Sequence, residues 1–354
     1  MLKDRMKPIE RLTAYAQGKA IDRLPCVPIV GNGAARVTGD KVSDLRGNAR
    51  LLANAQIAAY RRFGYDVIRV FTDLYVMAEA MGAHVHCPTD ETAYLVAPAI
   101  TDGSRIEDLS VPDPWKSGNL PHHLEAMDLV AREVGDEAPV TGALTGPFTN
   151  ASFLIGTEDL LRLAFKKPAV AHKLCEISLH AGLVYAEAIL STGCVPSLTD
   201  PMSSCSVIGP KIFKEFSFPY LKRLIDFIHA KGSKVTLHIC GQTSRIWKLM
   251  AEAGADCLSI DDEASLTGAR EMVGSQVRLM GNVPPATVTF MGSPADVRKA
   301  VHRCVAKAWD NPKGYIVASG CSLPTDTPLA NIDAMMDAVR EVGFPVNVST
   351  LEVN

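Results

Sequence analysis

The amino-acid sequence predicts an α/β protein built as a single (β/α)8 TIM barrel. Two observations lead to this prediction. Eight short apolar runs with strand character alternate along the 354 residues with segments of helical periodicity. Residues able to carry chemistry follow several of these runs directly, at the end of the strands where a barrel enzyme holds its active site. We expect one domain over residues 1–354, with an N-terminal helical extension and an inserted hairpin.

The predicted strands are short apolar runs bounded by turn-forming residues. They lie at Leu24–Val30, Asp66–Phe71, Val140–Thr145, Val195–Thr199, Lys234–Cys240, Asp256–Ile260, Val277–Met280 and Tyr315–Ser319. The segments between them show apolar residues at helical spacing. The clearest helices are Glu158–Phe165, Val170–Ser191, Phe213–Lys231, Thr243–Ala253 and Pro294–Asp310. Strands that alternate with helices predict a closed parallel sheet.

Three segments depart from this alternation. Residues 1–23 predict a helix that precedes the first strand. Ala83–Cys87 and Tyr94–Pro98, joined by a turn that contains proline, predict a hairpin inserted into the barrel. Residues 110–122 are rich in proline, aspartate and glycine and predict a surface loop, with His122 and His123 exposed to solvent at its end.

Composition excludes several classes of function. The formal net charge is −3, which disfavours nucleic acid and anionic membrane surfaces as partners. No run approaches 18 apolar residues, so no membrane span is expected, and the charged segment Met1–Lys7 has no apolar signal core. Nine scattered cysteines do not resemble the disulfide framework of a small secreted domain. We expect a cytoplasmic protein in which Cys175, Cys257 and Cys304 are packing residues.

Two strand ends carry soft metal ligands. His238 and Cys240 are two residues apart at the end of a predicted strand, so their side chains point to the same side. Cys321 follows Gly320 at the end of a later strand. One imidazole and two thiols at the carboxyl ends of barrel strands favour a catalytic zinc ion with an open coordination position.

A carboxylate is predicted to complete this site. The run Asp261-Asp262-Glu263 follows the next strand, and Asp261 is preferred over Glu263 because it comes directly off the strand. Most such carboxylates are helix caps or solvated charges. Two thiolates and a carboxylate would make a zinc site anionic, which suits attack by sulfur better than activation of water.

Other candidate residues have both a functional and a structural interpretation. Asp200 could contact substrate or order the zinc site, or it could cap the loop that follows it. Asn282 could donate a hydrogen bond in the pocket, or it could be a turn residue before two prolines. His84, His86 and Cys87 form a rival ligand cluster, but they belong to the predicted hairpin and are interpreted as structural or as a pocket wall.

Several motifs in a characteristic order resemble the uroporphyrinogen decarboxylase superfamily, most closely its branch of corrinoid-dependent zinc methyltransferases. They are Pro8-Ile9-Glu10-Arg11, Gly18, Asp22-Arg23-Leu24-Pro25, Thr145-Gly146-Pro147-Phe148-Thr149, Asp200-Pro201, His238-Ile239-Cys240-Gly241, Gly281-Asn282-Val283-Pro284-Pro285, Gly320-Cys321 and Thr327-Pro328-Leu329-Ala330-Asn331. The resemblance spans nearly the whole chain. The His-x-Cys pair with the late cysteine is the feature specific to the methyltransferase branch.

The resemblance implies a barrel and a zinc ion held by His238, Cys240 and Cys321, with a carboxylate such as Asp261 able to complete the site. The decarboxylase branch carries an arginine-rich segment after its first strand. Here the corresponding segment, Ile29–Arg36, contains one arginine, which is too few to hold a porphyrin with many carboxylates. Its small residues around Gly31 would instead leave space for a ligand, or they form only a tight turn.

Four functions are compared on this basis. The first is methyl transfer between the corrinoid (cobalamin) of a partner protein and a small thiol or another one-carbon carrier. The second is demethylation of a small methylated substrate onto cob(I)alamin. The third is a metal-free decarboxylase, and the fourth is a barrel that only binds and presents a corrinoid. Retained metal ligands with an open position disfavour the last. The oligomeric state is left open, and a homodimer is compatible with the sequence.

Overall fold

A computed structural model describes residues 4–353. Ten strands are present: β1 Cys26–Val27, β2 Ile68–Val70, β3 His84–His86, β4 Tyr94–Ala97, β5 Val140–Thr145, β6 Val195–Thr199, β7 Thr236–His238, β8 Cys257–Ser259, β9 Arg278–Val283 and β10 Tyr315–Ser319. Eight of them form one parallel sheet in the order β1-β10-β9-β8-β7-β6-β5-β2. Helices cover its outer face, and the predicted (β/α)8 barrel is confirmed.

Within residues 4–353, fifteen α-helices surround or extend the sheet. They are α1 Pro8–Ala16, α2 Ala35–Thr38, α3 Val42–Arg46, α4 Ala49–Phe63, α5 Val76–Ala80, α6 Leu120–Val134, α7 Pro147–Ile155, α8 Thr157–Lys166, α9 Pro168–Ser191, α10 Pro210–Ile212, α11 Phe218–Ala230, α12 Trp247–Glu252, α13 Leu266–Val273, α14 Pro294–Ala308 and α15 Leu329–Val342. The five predicted helices correspond to α8, α9, α11, α12 and α14, although α11 is preceded by a π-helical turn and α12 is shorter than expected.

The seam of the barrel lies between β1 and β2. β1 is only two residues long because Pro25 and Pro28, on either side of it, have no N–H group to donate to a ladder. Asp66 joins the two edges: its backbone N–H donates to the carbonyl of Cys26 over 2.9 Å, and its carboxylate accepts the backbone N–H of Cys26 over 2.7 Å. One buried acidic side chain therefore closes the cylinder.

The N-terminal extension covers the amino ends of the strands. Within the predicted helix 1–23, the structure has α1, and residues 1–3 lie outside the described part. Arg11 and Arg23, both buried, form ion pairs with the buried carboxylate of Asp66. The hydroxyl of Tyr15 accepts the backbone N–H of Tyr315 at the start of β10 over 2.8 Å. The extension thus fixes this end of the barrel and leaves the opposite end for the site.

The inserted hairpin is present as the antiparallel pair β3–β4. The predicted surface loop over residues 110–122 is correct only as far as residue 119, because α6 begins at Leu120. His122 and His123 lie in the first turn of that helix, and His123 is buried, so the prediction that both are solvated is wrong for His123. Pro121 stands near the start of the helix, where proline is tolerated, rather than in a loop.

One helix, α9, is long and apolar enough by length and composition to cross a membrane. It packs against α7, α8 and α11 and against the barrel strands β5 and β6. Just over half of its apolar window is buried inside the protein. This burial is that of a barrel helix whose apolar surface covers the sheet.

Candidate metal centre

The four predicted metal ligands converge at the carboxyl ends of the barrel strands. His238 ends β7, Cys240 follows it by two residues, Asp261 follows β8 and Cys321 follows β10. One ligand atom from each of these four side chains lies within 4.8 Å of the other three. Residues up to 83 positions apart in sequence are therefore brought together by the closure of the sheet.

The donor set and its spacing fit a tetrahedral zinc ion. The Sγ atoms of Cys240 and Cys321 are 3.8 Å apart, and Nε2 of His238 is 3.2 Å from Sγ of Cys240. In a tetrahedral site with zinc–sulfur bonds of about 2.3 Å, two sulfur ligands lie about 3.8 Å apart, and a sulfur and a nitrogen lie about 3.5 Å apart. The side chains therefore surround a volume of the size that zinc requires.

A neighbouring strand orients His238. Ser259 of β8 is in register with His238, and Nδ1 of the imidazole lies 3.2 Å from the Ser259 carbonyl oxygen and 3.1 Å from its Oγ. A proton on Nδ1 is donated to these oxygens, which leaves Nε2 unprotonated and directed at the cluster. Metal-binding histidines are commonly held in this way by a hydrogen bond at the other ring nitrogen.

The two thiols of the centre are coupled through the contact between their sulfur atoms. This contact lowers the pKa of Cys321, with a further contribution from His238. The same contact, together with burial, raises the pKa of Cys240 far above its usual range. Cys321 is therefore the thiol that ionises first, and a divalent cation would displace the remaining proton.

Among the three acidic residues after β8, only Asp261 belongs to the cluster. Its carboxylate is buried and accepts the backbone N–H of Glu263 over 3.0 Å, whereas Glu263 itself is exposed. Burial and the adjacent charge of Asp261 raise the pKa of Asp262 to about 6. The preference for Asp261 over Glu263 agrees with this geometry, although the ligand assignment itself stays a prediction.

Asp200 is fully buried and is not part of the cluster. Its carboxylate accepts the backbone N–H of Thr149 over 2.8 Å and the hydroxyl of Ser203 over 2.6 Å, and Ser217 Oγ lies 3.3 Å from it. Burial raises its pKa, although the hydrogen bonds from Ser203 and Thr149 oppose this shift. The carboxylate thus caps the start of α7 as well as its own loop, and a catalytic role for it remains only a prediction.

Asn282 lies at the end of β9 and supports the loop that carries Asp261. Its side-chain amide donates to the carbonyl oxygens of Asp261 and Ala264 over 3.0 and 2.9 Å. Its amide oxygen lies 3.7 Å from the thiol of Cys304. These contacts are made to protein groups, which suits a residue that positions a candidate metal ligand. Its contact with substrate stays a prediction.

The rival cluster on the hairpin is separate from this centre. His84 and His86 are exposed on β3, and the ring of His86 packs against Tyr94 on β4. Among the residues that the structure describes, the group of four that includes His238 is the one found with metal-binding spacing, and the hairpin residues are not part of it. This placement agrees with their interpretation as structural side chains.

Sequence analysis did not identify two residues that bear on the site. Ser259 sets the orientation of His238, but its position opposite that histidine depends on the register between β7 and β8. Arg69, in the middle of β2, places a guanidinium inside the barrel, where it donates to Oγ1 of Thr199 over 2.8 Å. The sequence signal for Arg69 was its place as a charged residue between Ile68 and Val70 in an otherwise apolar strand.

The fold and the site together define a (β/α)8-barrel enzyme with a candidate metal centre at its carboxyl end. The family model described as uroporphyrinogen decarboxylase (URO-D) matches residues 7–342. The chain therefore belongs to the uroporphyrinogen decarboxylase family, as its motifs predicted.

Within this family the chain groups with methyltransferases. It is 29% identical over 341 residues to the methylcobamide:CoM methyltransferase MtaA of Methanosarcina barkeri, covering 94% of this chain and 97% of that protein. It is 25% identical to the methylated-thiol–coenzyme M methyltransferase of Methanosarcina mazei, over 96% of this chain and 91% of that protein. A solved structure of a methyltransferase from Methanosarcina mazei superposes with a TM-score of 0.87 at 26% identity, covering 95% and 99% of the two chains.

The family also includes a second activity among the relatives of this chain. The uroporphyrinogen decarboxylase of Shewanella loihica is 27% identical over 313 residues, covering 86% of both chains. The sequence identity to this decarboxylase is thus close to the identity to the methyltransferases. Overall identity does not separate the two activities, so the residues of the site must do so.

Proposed function

We propose that this protein is a zinc-dependent methyltransferase that moves a methyl group between a corrinoid on a partner protein and a small substrate, with a thiol as the acceptor. The observation that carries this proposal is the convergence of His238, Cys240, Cys321 and Asp261 at the carboxyl end of the barrel. The names of the methylcobamide-dependent relatives support the corrinoid and the thiol as reaction partners.

The residues of the centre would hold zinc with three side chains or four. His238 supplies Nε2 because Ser259 occupies Nδ1, and the two cysteines supply sulfurs at the spacing that tetrahedral zinc requires. When bound, zinc would supply the positive charge that keeps the sulfur of a substrate thiol in its anionic, nucleophilic form. The barrel supplies the position of that sulfur, since its carboxyl end is the face at which barrel enzymes bind substrates.

The charge of the donor set favours sulfur chemistry over hydrolysis. Two thiolates and one carboxylate outweigh the two charges of zinc, so the complete centre carries a net charge of about −1. An anionic centre is a poor activator of water. Zinc sites that activate water more commonly use neutral histidine ligands. Electron donation from the two sulfurs instead leaves a further thiolate reactive toward a methyl group.

The region after β1 disfavours the decarboxylase activity. Its single arginine, Arg36, is exposed and donates to the backbone carbonyl of Asp326 over 2.5 Å. It is therefore engaged at the surface and does not provide the several inward cations that a porphyrin polycarboxylate would need. Decarboxylase relatives are similar to the chain over most of its length, but this local feature supports the methyltransferase.

Replacement of one sulfur ligand tests the proposal. Cys321→Ala is expected to lose zinc and thiol-dependent demethylation of methylcobalamin together, because removal of a thiolate leaves the donor set incomplete. Zinc is measured by mass spectrometry of the purified protein, and demethylation is followed from the visible spectrum of the corrinoid. Conversion of cob(I)alamin to methylcobalamin by a methylated substrate would show that transfer runs in the opposite direction.

Cys205→Ser is the matched control. Cys205 is a half-buried cysteine in the loop after β6, and it lies outside the cluster. Its backbone N–H donates to the carbonyl of Gln242, and this hydrogen bond does not depend on the side chain. The control is expected to retain zinc and methyl transfer. A Cys321→Ala protein that is free of metal and fully active would refute the proposed function.

A further inference from the structure

Arg69 is a half-buried cation, and among the described residues no carboxylate forms an ion pair with it. Its guanidinium donates one hydrogen bond, to Oγ1 of Thr199, and lies over the ring of Phe71 at 5.3 Å. Its Nε atom is buried and makes no hydrogen bond. Arginine keeps its charge inside a protein, and a buried charge without a partner is strongly unfavourable. The arrangement therefore indicates that a negative charge is present when the protein works.

The side chain of Arg69 lines a cavity inside the barrel. This cavity, of about 70 Å³, is also bordered by Thr141, Ser197 and Thr236 and by the apolar side chain of Met280. Burial lowers the pKa of Arg69, and negative charge on Cys321 and Cys240 of the candidate centre opposes this shift. The cation is thus directed toward the metal centre rather than into a structural ion pair.

The register of the sheet places Arg69 close to the level of the metal ligands. Its partner Thr199 ends β6 and is aligned with His238 on the adjacent strand β7. Arg69 itself starts lower in the barrel, aligned with Thr141, and its long side chain extends upward to Thr199. The guanidinium therefore reaches the strand level at which β7 carries His238.

We propose that Arg69 is the counter-charge of the centre, a positioning residue that stabilises the extra negative charge brought by a substrate thiolate. The inference rests on the proposed function, in which the substrate sulfur joins a centre that is already anionic. The titratable groups of the candidate centre and its immediate neighbour are His238, Cys240, Asp261, Asp262 and Cys321, and Asp73, Asp200 and Glu263 also follow strands at the same end of the barrel. All of these groups except His238 carry negative charge when ionised, so the fixed positive charge of Arg69 favours a thiolate over a neutral thiol.

The pH dependence of thiol binding tests this role. Zinc-loaded wild type, Arg69→Met and Arg69→Lys are titrated with 2-mercaptoethanol by calorimetry between about pH 6 and pH 10. An opposite charge close to an ionisable group lowers its pKa by about one unit or more. We therefore expect the binding midpoint of Arg69→Met to lie about one pH unit higher, with affinity about tenfold weaker below it. Arg69→Lys keeps the charge and should restore most of this shift.

Controls separate this role from a structural one. Arg36→Met removes an exposed arginine on α2, after β1, and should leave the midpoint unchanged. Zinc content and melting temperature are measured for each variant. If Arg69→Met fails to fold, Arg69→Lys decides, because its midpoint should stay within a few tenths of a pH unit of the wild-type value. A lysine variant that shifts by a full unit would overturn the inference.

Two further results would overturn the inference while leaving the proposed function intact. The first is an unchanged midpoint in folded, zinc-loaded Arg69→Met. The second is that Arg69→Met loses affinity for 2-mercaptoethanesulfonate and 3-mercaptopropionate but keeps its affinity for 2-mercaptoethanol. Arg69 would then bind the anionic tail of the substrate and not its sulfur. A wild-type protein that holds no zinc would instead refute the proposed function itself.

Discussion

The contact between Gly146 and Asp200 allows a sharp prediction about what holds the mouth of the barrel together. Gly146 has φ −66° and ψ 154°, a conformation that alanine adopts without strain. A Cβ atom at this position would nevertheless lie 2.6 Å from Oδ1 of Asp200 and still closer to its Cβ and Cγ. Gly146→Ala therefore acts through one contact, the displacement of the buried carboxylate.

The size of the effect follows from what this carboxylate does. It accepts hydrogen bonds from Thr149 N–H and from Ser203 Oγ, and Ser217 Oγ lies within 3.3 Å. Hydrogen bonds to a charged group contribute about 1.5–3 kcal/mol each, and a buried charge left without partners costs about 3–5 kcal/mol. We expect Gly146→Ala to lower the free energy of unfolding by about 3–5 kcal/mol, a large part of the stability of a typical domain.

Urea denaturation followed by circular dichroism measures this change. Gly47→Ala is the matched control, because Gly47 has φ −101° and open space where its Cβ would lie. The control should stay within about 0.5 kcal/mol of wild type. A Gly146→Ala protein whose stability lies within about 1 kcal/mol of wild type would show that Asp200 is not held as tightly as its hydrogen bonds imply, and the reasoning would be wrong.

Two more predictions concern buried ionisable groups remote from the metal ligands. Burial lowers the pKa of His123 to about 4, and its Nε2 lies 2.8 Å from Thr72 Oγ1. The unfolded chain binds this proton from about pH 6.5 downward, so stability should fall by roughly 3 kcal/mol as the pH drops from 6.5 to 4. His123→Gln should flatten this part of a stability–pH curve, and an unchanged slope would contradict the burial argument. Asp66→Asn leaves Arg11 and Arg23 with weaker partners at the barrel seam and should cost about 3–5 kcal/mol in urea unfolding, whereas a loss below 1 kcal/mol would show that the seam does not depend on this charge.

The convergence of the candidate metal ligands could be predicted from the sequence because these residues follow strands. His238 and Cys240 are two positions apart at a strand end, and Cys321 follows another strand, so strand periodicity and barrel closure were enough to bring them together. The preference for Asp261 over Glu263 had the same basis. Local position in the chain determined which side chains face the centre, and no knowledge of register was needed.

The contacts that support the centre could not be predicted in this way. Ser259 faces His238 only because β7 and β8 are paired in one register among several. Arg69 could have pointed outward as easily as inward, since one charged residue in a short strand does not define a face. The interpretation of Asp200 stayed divided because its partner Thr149 is 51 residues away in the sequence.

One error had a local cause. Residues 110–122 were predicted as loop because of their prolines, aspartates and glycines, but Leu120, Leu124 and Met127 already follow the helical spacing of α6. Pro121 near the start of that helix is compatible with it. Giving the apolar period more weight than the proline would have placed His123 on the buried face.

X-ray absorption spectroscopy at the zinc edge of the purified protein tests the central claim most directly. We predict about one zinc per chain with two sulfur neighbours at about 2.3 Å and lighter nitrogen or oxygen neighbours at about 2.0–2.2 Å, and Cys321→Ala should retain one sulfur at most. A wild-type protein without zinc, or with a shell of nitrogen and oxygen alone, would contradict the assignment of the two cysteines.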